Sequence, residues 1–192
     1  MARPRSFDTG AVLDKAVAAF SAKGYEATSL QDLEKATGLG RASLYGAFRD
    51  KHSLYLSALR HYDVTRASAL IARLDAAPSG RKALETLFVM VVDECAASAG
   101  GCLIANATME RGDSDLAAAR IIADHRRRME GAIHAALLRG GADGSLKGRR
   151  EPRAAARFLF ATVQGLRALS KAACTRAQLR EVSDLALMTA GG

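Results

Sequence analysis

The sequence contains few residues that interrupt helices. It has no tryptophan, and aromatic residues account for 5% of its 192 residues. Only three prolines occur, whereas alanine, leucine, arginine and lysine are abundant. Because these abundant residues are good helix formers, the composition favours an all-α fold.

Cysteine and histidine are also scarce. The three cysteines are an odd number without metal-ligand spacing, which argues against both a disulfide framework and a zinc site. The four histidines fall into two pairs nine residues apart, the wrong spacing for paired ligation on one helix. With no Ser-His-Asp or phosphate-loop arrangement present, the sequence predicts no cofactor, no metal and no enzymatic activity. The three cysteines are Cys95, Cys102 and Cys174, and the four histidines are His52, His61, His125 and His134.

Long apolar runs are missing as well. The longest fall far short of the ~20 residues that a membrane-spanning helix requires. A charged-then-apolar leader with a cleavage-like site is not seen either. We therefore expect no membrane partner and a cytoplasmic location.

Positive charge is in excess. The chain has 28 basic and 20 acidic residues, a net charge of +8, which is compatible with a polyanionic partner. Arg3 and Arg5 flank Pro4 in a basic arm at the start of the chain. Such an arm either lies against a nucleic acid or is simply a solvated terminus.

Residues 28–54 have the pattern of a helix-turn-helix. Thr28 and Gln31 have the spacing of a capping box, which predicts a helix start at Thr28. Gly38 stands where that helix should stop, since glycine tolerates the left-handed conformation of a C-terminal cap. After the turn, Arg41 to Phe48 forms a short second helix.

The second helix divides into two faces. Leu44, Ala47 and Phe48 are spaced to pack inward, which leaves polar positions near the N-terminal end pointing outward. A recognition helix presents such positions to base edges in the major groove. Lys51 and the start of the first helix would then hold phosphates. The competing interpretation is an ordinary αα-hairpin with a solvated polar face.

Together these residues resemble a known family. The motif Gly38-Leu39-Gly40-Arg41-Ala42-Ser43-Leu44-Tyr45, with Phe48, Lys51 and Leu54 following and Phe20, Gly24 and Tyr25 preceding, is similar to the N-terminal domain of TetR-family transcriptional regulators. The resemblance implies that Thr28, Ser29 and Lys51 contact phosphates and that Arg41, Ala42, Ser43 and Tyr45 face the groove. Gly40 and Gly46 depart from the commonest pattern and put individual contacts in doubt.

The remaining chain has the pattern of a series of helices. A long helix is predicted from Asp50 to about Ala76, and further helices from Arg81, Ser114, Pro152 and the segment after Thr175. We predict a helix-turn-helix DNA-binding domain at residues 1–50, with the start of a connecting helix reaching about residue 65. Residues 51–192 would form a helical regulatory and dimerisation domain.

A mostly apolar segment follows the glycines at 100 and 101. It resembles the regulatory domain of the TetR branch that includes the electrophile-sensing repressor NemR. Cys102 near a helix start is therefore either a reactive thiol or a small buried hydrophobic residue. Candidate walls of an effector pocket are Phe88, Cys102, Asn106, Met109, Phe158 and Val163.

The two C-terminal helices are too apolar for solvent-facing helices. We expect them to pair with a second copy in a self-complementary four-helix interface, as the family resemblance also implies. A wholly intramolecular core is the alternative.

These patterns predict a homodimeric regulator of transcription that binds a palindromic operator in double-stranded DNA, most simply a repressor. A small-molecule effector of unknown identity, or modification of Cys102, would release it. The other classes are a helical adaptor that binds only protein and, less favoured, an enzyme. A steep loss of duplex affinity with rising salt distinguishes a phosphate reader from an adaptor.

Overall fold

The structure, a computed structural model, describes residues 7–97, 101–148 and 151–191. The basic arm with Arg3 and Arg5 lies outside these ranges, as does the first of the two glycines at 100 and 101. Within them every regular element is helical, which confirms the predicted all-α fold. No helix among these residues has both the length and the apolar character needed to cross a membrane.

The helices follow the order of the predicted pattern. They are α1 (Thr9–Lys23), α2 (Leu30–Thr37), α3 (Arg41–Phe48), α4 (Lys51–Tyr62), α5 (Ser68–Asp75), α6 (Gly80–Ala97), α7 (Leu103–Arg111), α8 (Leu116–Ala142), α9 (Pro152–Lys171) and α10 (Arg176–Gly191). A π-helical stretch, Asp63–Ala67, joins α4 to α5. The predicted helix from 50 to 76 is thus helical throughout but changes its hydrogen-bonding pattern in the middle.

Two helix starts differ by one residue from their predicted positions. The capping box of α2 pairs Ser29 with Asp32, not Thr28 with Gln31. Asp115, not Ser114, caps α8, since its Oδ1 accepts hydrogen bonds from the N–H groups of Ala117 and Ala118. The apolar spacing of this helix places Leu116 on its inner side, whereas the structure leaves Leu116 80% exposed.

The chain packs as two compact units. The first contains the chain up to Thr65 together with Cys102–Ile122, and the second contains Arg66–Gly101 and Ala123–Gly192. The packing therefore assigns α7 and the start of α8 to the same unit as the helix-turn-helix. The boundary at residue 50 between a DNA-binding and a regulatory domain concerns function and stays a prediction.

The first unit has its own apolar core. Phe20 of α1 and Tyr55 of α4 pack edge to face with ring centroids 5.0 Å apart. Leu33 from α2 and Leu44 from α3 are buried against this pair of helices, and α7 contributes Leu103 and Ile104. The core thus fixes α2 and α3 on the scaffold of α1, α4 and α7.

The second unit has a separate core built on α6. Most of its buried side chains come from five helices, with an apolar face on α6 and the inner faces of α5, α8, α9 and α10 around it. They include Leu70, Leu74, Leu84, Leu87, Phe88, Val91, Ile133, Leu159, Val163, Leu166 and Leu179.

Candidate nucleic-acid interface

The turn between α2 and α3 sets the angle of the second helix. Gly38 adopts the left-handed conformation with φ 76°, and its N–H donates to the carbonyl of Glu34, so α2 ends where the sequence predicts. Gly40 is the N-cap of α3 and provides no side-chain cap. The first turn of α3 therefore begins with backbone N–H groups that no side chain covers.

The two predicted faces of α3 are present. Leu44 and Phe48 are buried, whereas Arg41, Ala42 and Ser43 are exposed and Tyr45 is half-buried. The Arg41 guanidinium lies 5.5 Å from the centroid of the Tyr45 ring, within the range of a cation–π contact. The N-terminal half of α3 thus presents the side chains of Arg41, Ala42, Ser43 and Tyr45, including one cation, on a surface that the core does not use.

The start of α2 is stabilised from within. The hydroxyl of Ser29 donates to Asp32 Oδ2 at 2.7 Å and accepts from the N–H of Asp32 at 3.1 Å. The Lys23 ammonium, together with Ser29, holds the pKa of the Asp32 carboxyl well below its usual range. Because the Ser29 hydroxyl proton is committed to Asp32, a phosphate contact here depends on the backbone N–H groups of the first helical turn.

Thr28 does not present its side chain at this surface. Its side chain is fully buried, and its hydroxyl donates to the carbonyl of Gly24. The resemblance had implied a phosphate contact at this position. The Thr28 side chain instead closes the loop between α1 and α2 through its hydrogen bond to Gly24.

Lys51 lies at the start of α4 beside this loop. Its ammonium is 4.4 Å from the centroid of the Tyr25 ring and donates to the carbonyl of Glu26 at 3.4 Å. Tyr25 also packs on Tyr55, with ring centroids 4.7 Å apart, so it is both a core residue and a contact of Lys51. Burial raises the pKa of the Tyr25 hydroxyl, so its ring meets Lys51 as a neutral aromatic face.

Two further residues lie at this loop without any signal in the sequence. Glu110 and Arg111, at the end of α7, contact Tyr25 and Glu26 although they are about 85 residues away in the chain. A contact between helix ends so far apart has no periodic or spacing signal in a single sequence. Only the packing of α7 on α1 and α4 brings them here.

The six candidate pocket residues do not form one pocket within either unit. Cys102, Asn106 and Met109 belong to the first unit, and Phe88, Phe158 and Val163 belong to the second. Met109 is 88% exposed, so the structure does not support it as a pocket wall. Phe158 is 47% exposed and lines an open cavity of about 380 Å³ between α9 and α10. The amide of Asn106 donates to the carbonyl of Ser21 at 2.8 Å and so ties α7 to α1.

Cys102 is buried at the N-terminal end of α7. Its sulfur accepts a hydrogen bond from the Tyr62 hydroxyl at 3.1 Å, and the thiol side chain forms part of the first core. Among the residues that the structure describes, no cluster of His, Cys, Asp and Glu has the arrangement of a metal site.

A buried two-helix corner with an exposed polar first turn on its second helix defines the class of helix-turn-helix DNA-binding proteins. Comparison with known families makes the assignment specific. Residues 12–58 match the model of bacterial regulatory proteins of the tetR family, and residues 81–185 match the tetracyclin repressor-like C-terminal domain. The chain therefore belongs to the TetR family of transcriptional regulators, and it is not an enzyme.

Relatives of full length support the same assignment. The HTH-type transcriptional regulator YezE of Bacillus subtilis is 33% identical over 97% of this chain and 98% of its own length. The HTH-type transcriptional repressor ComR of Escherichia coli is 29% identical over 96% of this chain and 90% of its own length.

Solved structures show the same fold. A cysteine mutant of the TetR-family regulator CifR, complexed with 26-base-pair operator DNA, matches with a TM-score of 0.85 and 30% identity over 97% of this chain and 98% of that one. The reduced form of E. coli NemR matches with a TM-score of 0.82 but at 18% identity, over 92% of this chain and 93% of that one. The likeness to NemR therefore concerns the fold alone.

Proposed function

We propose that the protein is a homodimeric, sequence-specific repressor that binds a palindromic operator. The observation that carries this proposal is the exposed first turn of α3 with Arg41, Ala42 and Ser43. The operator complexes of CifR support it, because that protein is similar over nearly the whole chain. The repressor assignment draws further support from the name of ComR. A cytoplasmic location, where operator DNA is found, is part of the same proposal.

In this proposal α3 contacts the bases, whereas Lys51 and the start of α2 contact the phosphates. Inserted into the major groove, Arg41 donates two hydrogen bonds to the O6 and N7 atoms of a guanine, and Ser43 and Tyr45 bond base edges or phosphates. Lys51 and the first N–H groups of α2 hold phosphates on either side of the groove. In a dimer the two α3 helices enter successive major grooves about 34–36 Å apart.

Base readout is tested with Arg41 and Tyr45. We expect Arg41→Ala combined with Tyr45→Ala to lower the preference for the operator over a scrambled duplex at least about tenfold, because a bidentate base contact contributes about 1–3 kcal/mol of discrimination. Fluorescence anisotropy with both duplexes at two salt concentrations measures this preference. Arg120→Ala, which removes one exposed positive charge from α8, is the matched control and should keep the preference. An unchanged preference in the double variant would show that α3 is not the recognition helix.

Dimerisation is proposed through the outer faces of α9 and α10. Phe158, Leu169, Val182 and Leu185 are large apolar side chains with exposed fractions between 38% and 66%. On α9 the positions between Phe158 and Leu169 that face outward are small, namely Ala161, Gly165 and Ala168. Small residues between large apolar ones allow two helices to approach closely, as a twofold four-helix interface requires.

Release from the operator is proposed to follow the binding of a small molecule or the modification of Cys102. In the second unit an open cavity of about 400 Å³ between α6 and α10 combines apolar walls such as Phe88 and Leu187 with charged ones such as Arg81 and Asp184, which offers a small molecule a place to bind. In the first unit Cys102 lies at the start of α7, and its sulfur accepts a hydrogen bond from the Tyr62 hydroxyl.

The thiol is tested with N-ethylmaleimide, whose double bond accepts the sulfur on one carbon and a proton on the other. We expect alkylation to release wild-type protein from operator DNA, and Cys102→Ser to remove this response. The Cys95→Ser/Cys174→Ser variant, which changes the two half-buried cysteines, should still respond. Release of the Cys102→Ser variant by the reagent would exclude Cys102 as the sensor.

A further inference from the structure

The loop that joins α1 to α2 is held by a carboxylate from a distant helix. Glu110, in the last turn of α7, accepts hydrogen bonds from two successive backbone N–H groups, that of Tyr25 at 2.7 Å and that of Glu26 at 2.8 Å. Each oxygen of the carboxylate takes one of the two N–H groups. Such charge-assisted bonds are stronger than neutral ones, and the paired geometry fixes orientation as well as distance.

The loop is shaped to receive this carboxylate. Gly24 has φ 83°, and a Cβ atom at this position would lie 2.8 Å from Glu110 Oε2. The carbonyl of Gly24 accepts the buried hydroxyl of Thr28. The loop is thus fixed by Glu110 through its N–H groups and by Thr28 through its carbonyl.

The same loop residues hold the cation proposed to bind phosphate. The Lys51 ammonium contacts the ring of Tyr25 and the carbonyl of Glu26, and these are the two residues whose N–H groups Glu110 binds. Arg111, the next residue of α7, adds an ion pair with the Glu26 carboxylate at 2.6 Å. Its guanidinium lies 4.7 Å from the centroid of the Tyr25 ring.

We propose that Glu110 is a positioning residue for DNA binding. Glu110 fixes the backbone of Tyr25 and Glu26 and thereby positions Lys51 and the first residues of α2. In this way α7 affects the phosphate contacts without touching DNA. This inference rests on the proposed function. It assigns to α7 an effect on overall duplex affinity, whereas base preference stays with Arg41 and Tyr45.

Whether removal of the Glu110 charge strengthens or weakens duplex binding distinguishes a positioning role from simple electrostatics. Removal of a negative charge from a protein that binds a polyanion should strengthen binding if charge alone mattered. A positioning role predicts weaker binding, because the neutral amide of glutamine places an NH₂ group against one of the two N–H donors.

The test compares Glu110→Gln, Lys51→Ala and the double variant with wild-type protein, and uses Asp113→Asn as a matched control. Asp113 is an exposed carboxylate three residues further along the chain. We expect Glu110→Gln to weaken binding to operator and scrambled duplex by the same factor, roughly five- to tenfold, as partial loss of a charged hydrogen-bond pair suggests.

The salt dependence and the double variant show whether the effect passes through Lys51. In Glu110→Gln the slope of log affinity against log salt should become less steep by about two per dimer, because each subunit loses one phosphate contact. The double variant should be weakened less than the product of the two single factors, since both changes remove the same contact. Full multiplication of the two factors, or unchanged or tighter binding by Glu110→Gln, overturns the inference.

Hydrogen exchange in the absence of DNA provides an independent readout. The amides of Tyr25 and Glu26 should exchange faster in Glu110→Gln than in wild type or Asp113→Asn. Unchanged exchange in Glu110→Gln overturns the inference even if this variant binds the operator more weakly than wild type. Failure of wild-type protein to bind any duplex would instead overturn the proposed function, and with it the role of this contact in DNA binding.

Discussion

At the residue scale, the start of α2 shows how closely spaced polar residues compete for one role. Thr28 and Ser29 are adjacent, and each has an acceptor-bearing residue three positions later. The structure selects Ser29, whose hydroxyl and backbone N–H both bond Asp32. Thr28 is directed into the core, where its methyl group is buried and its hydroxyl reaches Gly24. Spacing alone does not decide between the two, because the choice depends on which side chain the core admits.

Two glycines of the first unit have opposite expected responses to alanine. Gly46 lies within α3 and a Cβ atom there meets nothing within 4 Å, so we expect Gly46→Ala to stabilise the protein by about 0.5–1 kcal/mol through helix propensity. Gly24→Ala, at φ 83° and against Glu110, should destabilise it by more than about 1 kcal/mol. Urea denaturation followed by circular dichroism compares the two variants. A loss of stability in Gly46→Ala would contradict the open environment of that position.

At the element scale, several helices start on a carboxylate that accepts backbone N–H groups. Asp50 caps α4, Asp115 caps α8 and Glu151 caps α9. In each case the hydrogen bonds hold the pKa of the carboxyl below its ordinary value. For Asp115 burial alone would raise the pKa, but the N–H of Ala118 and the His52 imidazole outweigh this effect. The helix starts therefore depend on carboxylates that are ionised at neutral pH.

Asp115→Asn tests this dependence on ionisation. The variant should be less stable than wild type by about 1 kcal/mol at neutral pH, since the contact with His52 Nε2 at 2.7 Å loses its charge. A depressed carboxyl pKa contributes stability that is present above the unfolded-state value, near pH 4, and is lost as the pH falls through the folded-state value. The difference between the two proteins should accordingly be full above about pH 5 and shrink as the pH falls below about 4.

Urea denaturation at a series of pH values measures this difference. Asp113→Asn, which removes an exposed carboxylate nearby, serves as the control and should track wild type. A gap between wild type and Asp115→Asn that did not narrow as the pH fell from about 5 to about 2 would show that ionisation of Asp115 is not what stabilises α8.

The helix pattern was largely predictable from the sequence, whereas the contacts of Glu110 and Arg111 at the candidate site were not. Apolar spacing and glycine stops predicted α2, α3 and the exposure of Arg41, Ala42 and Ser43. The π-helical stretch Asp63–Ala67 had no signal, because a π turn differs from an α turn only in which carbonyl each N–H selects. The contact of Glu110 with the loop had no local signal either, because its partners are 85 and 84 residues distant in the chain.

At the scale of the whole molecule, the proposed regulator depends on a partner that covers the outer faces of α9 and α10. A monomer would leave Leu185 and Met188 exposed at 66% and 70%, on a helix whose inner face already fills the second core. Burial of such side chains by a second copy would remove apolar surface from water, and in the proposed regulator it pairs two helix-turn-helix units. The spacing of the two helix-turn-helix units is then a property of the dimer.

Gly165→Leu tests this interface without changing the monomer. A Cβ atom at Gly165 meets nothing within 4 Å, so the larger side chain fits the subunit but keeps two α9 helices apart. We expect the dimer dissociation constant to rise at least about tenfold, because overpacking costs about 1–3 kcal/mol. Sedimentation velocity over a concentration series measures the change.

Gly131→Leu on α8 is the matched control, since Gly131 is likewise exposed and has open space around a Cβ atom. It should leave the dimer intact. Equal dissociation constants for wild type and Gly165→Leu would place the interface elsewhere or show that the protein is monomeric.

By itself, the sequence determined the elements whose signals lie within a few residues of each other: the helices, the glycine turn after α2 and the exposed first turn of α3. Those signals are local because a helix satisfies its own backbone through bonds four residues apart. The tertiary structure alone decided that Thr28 turns inward and that α7 joins the first unit. It also brought Glu110 to the loop beside Lys51, a contact set by the packing of several helices around one core.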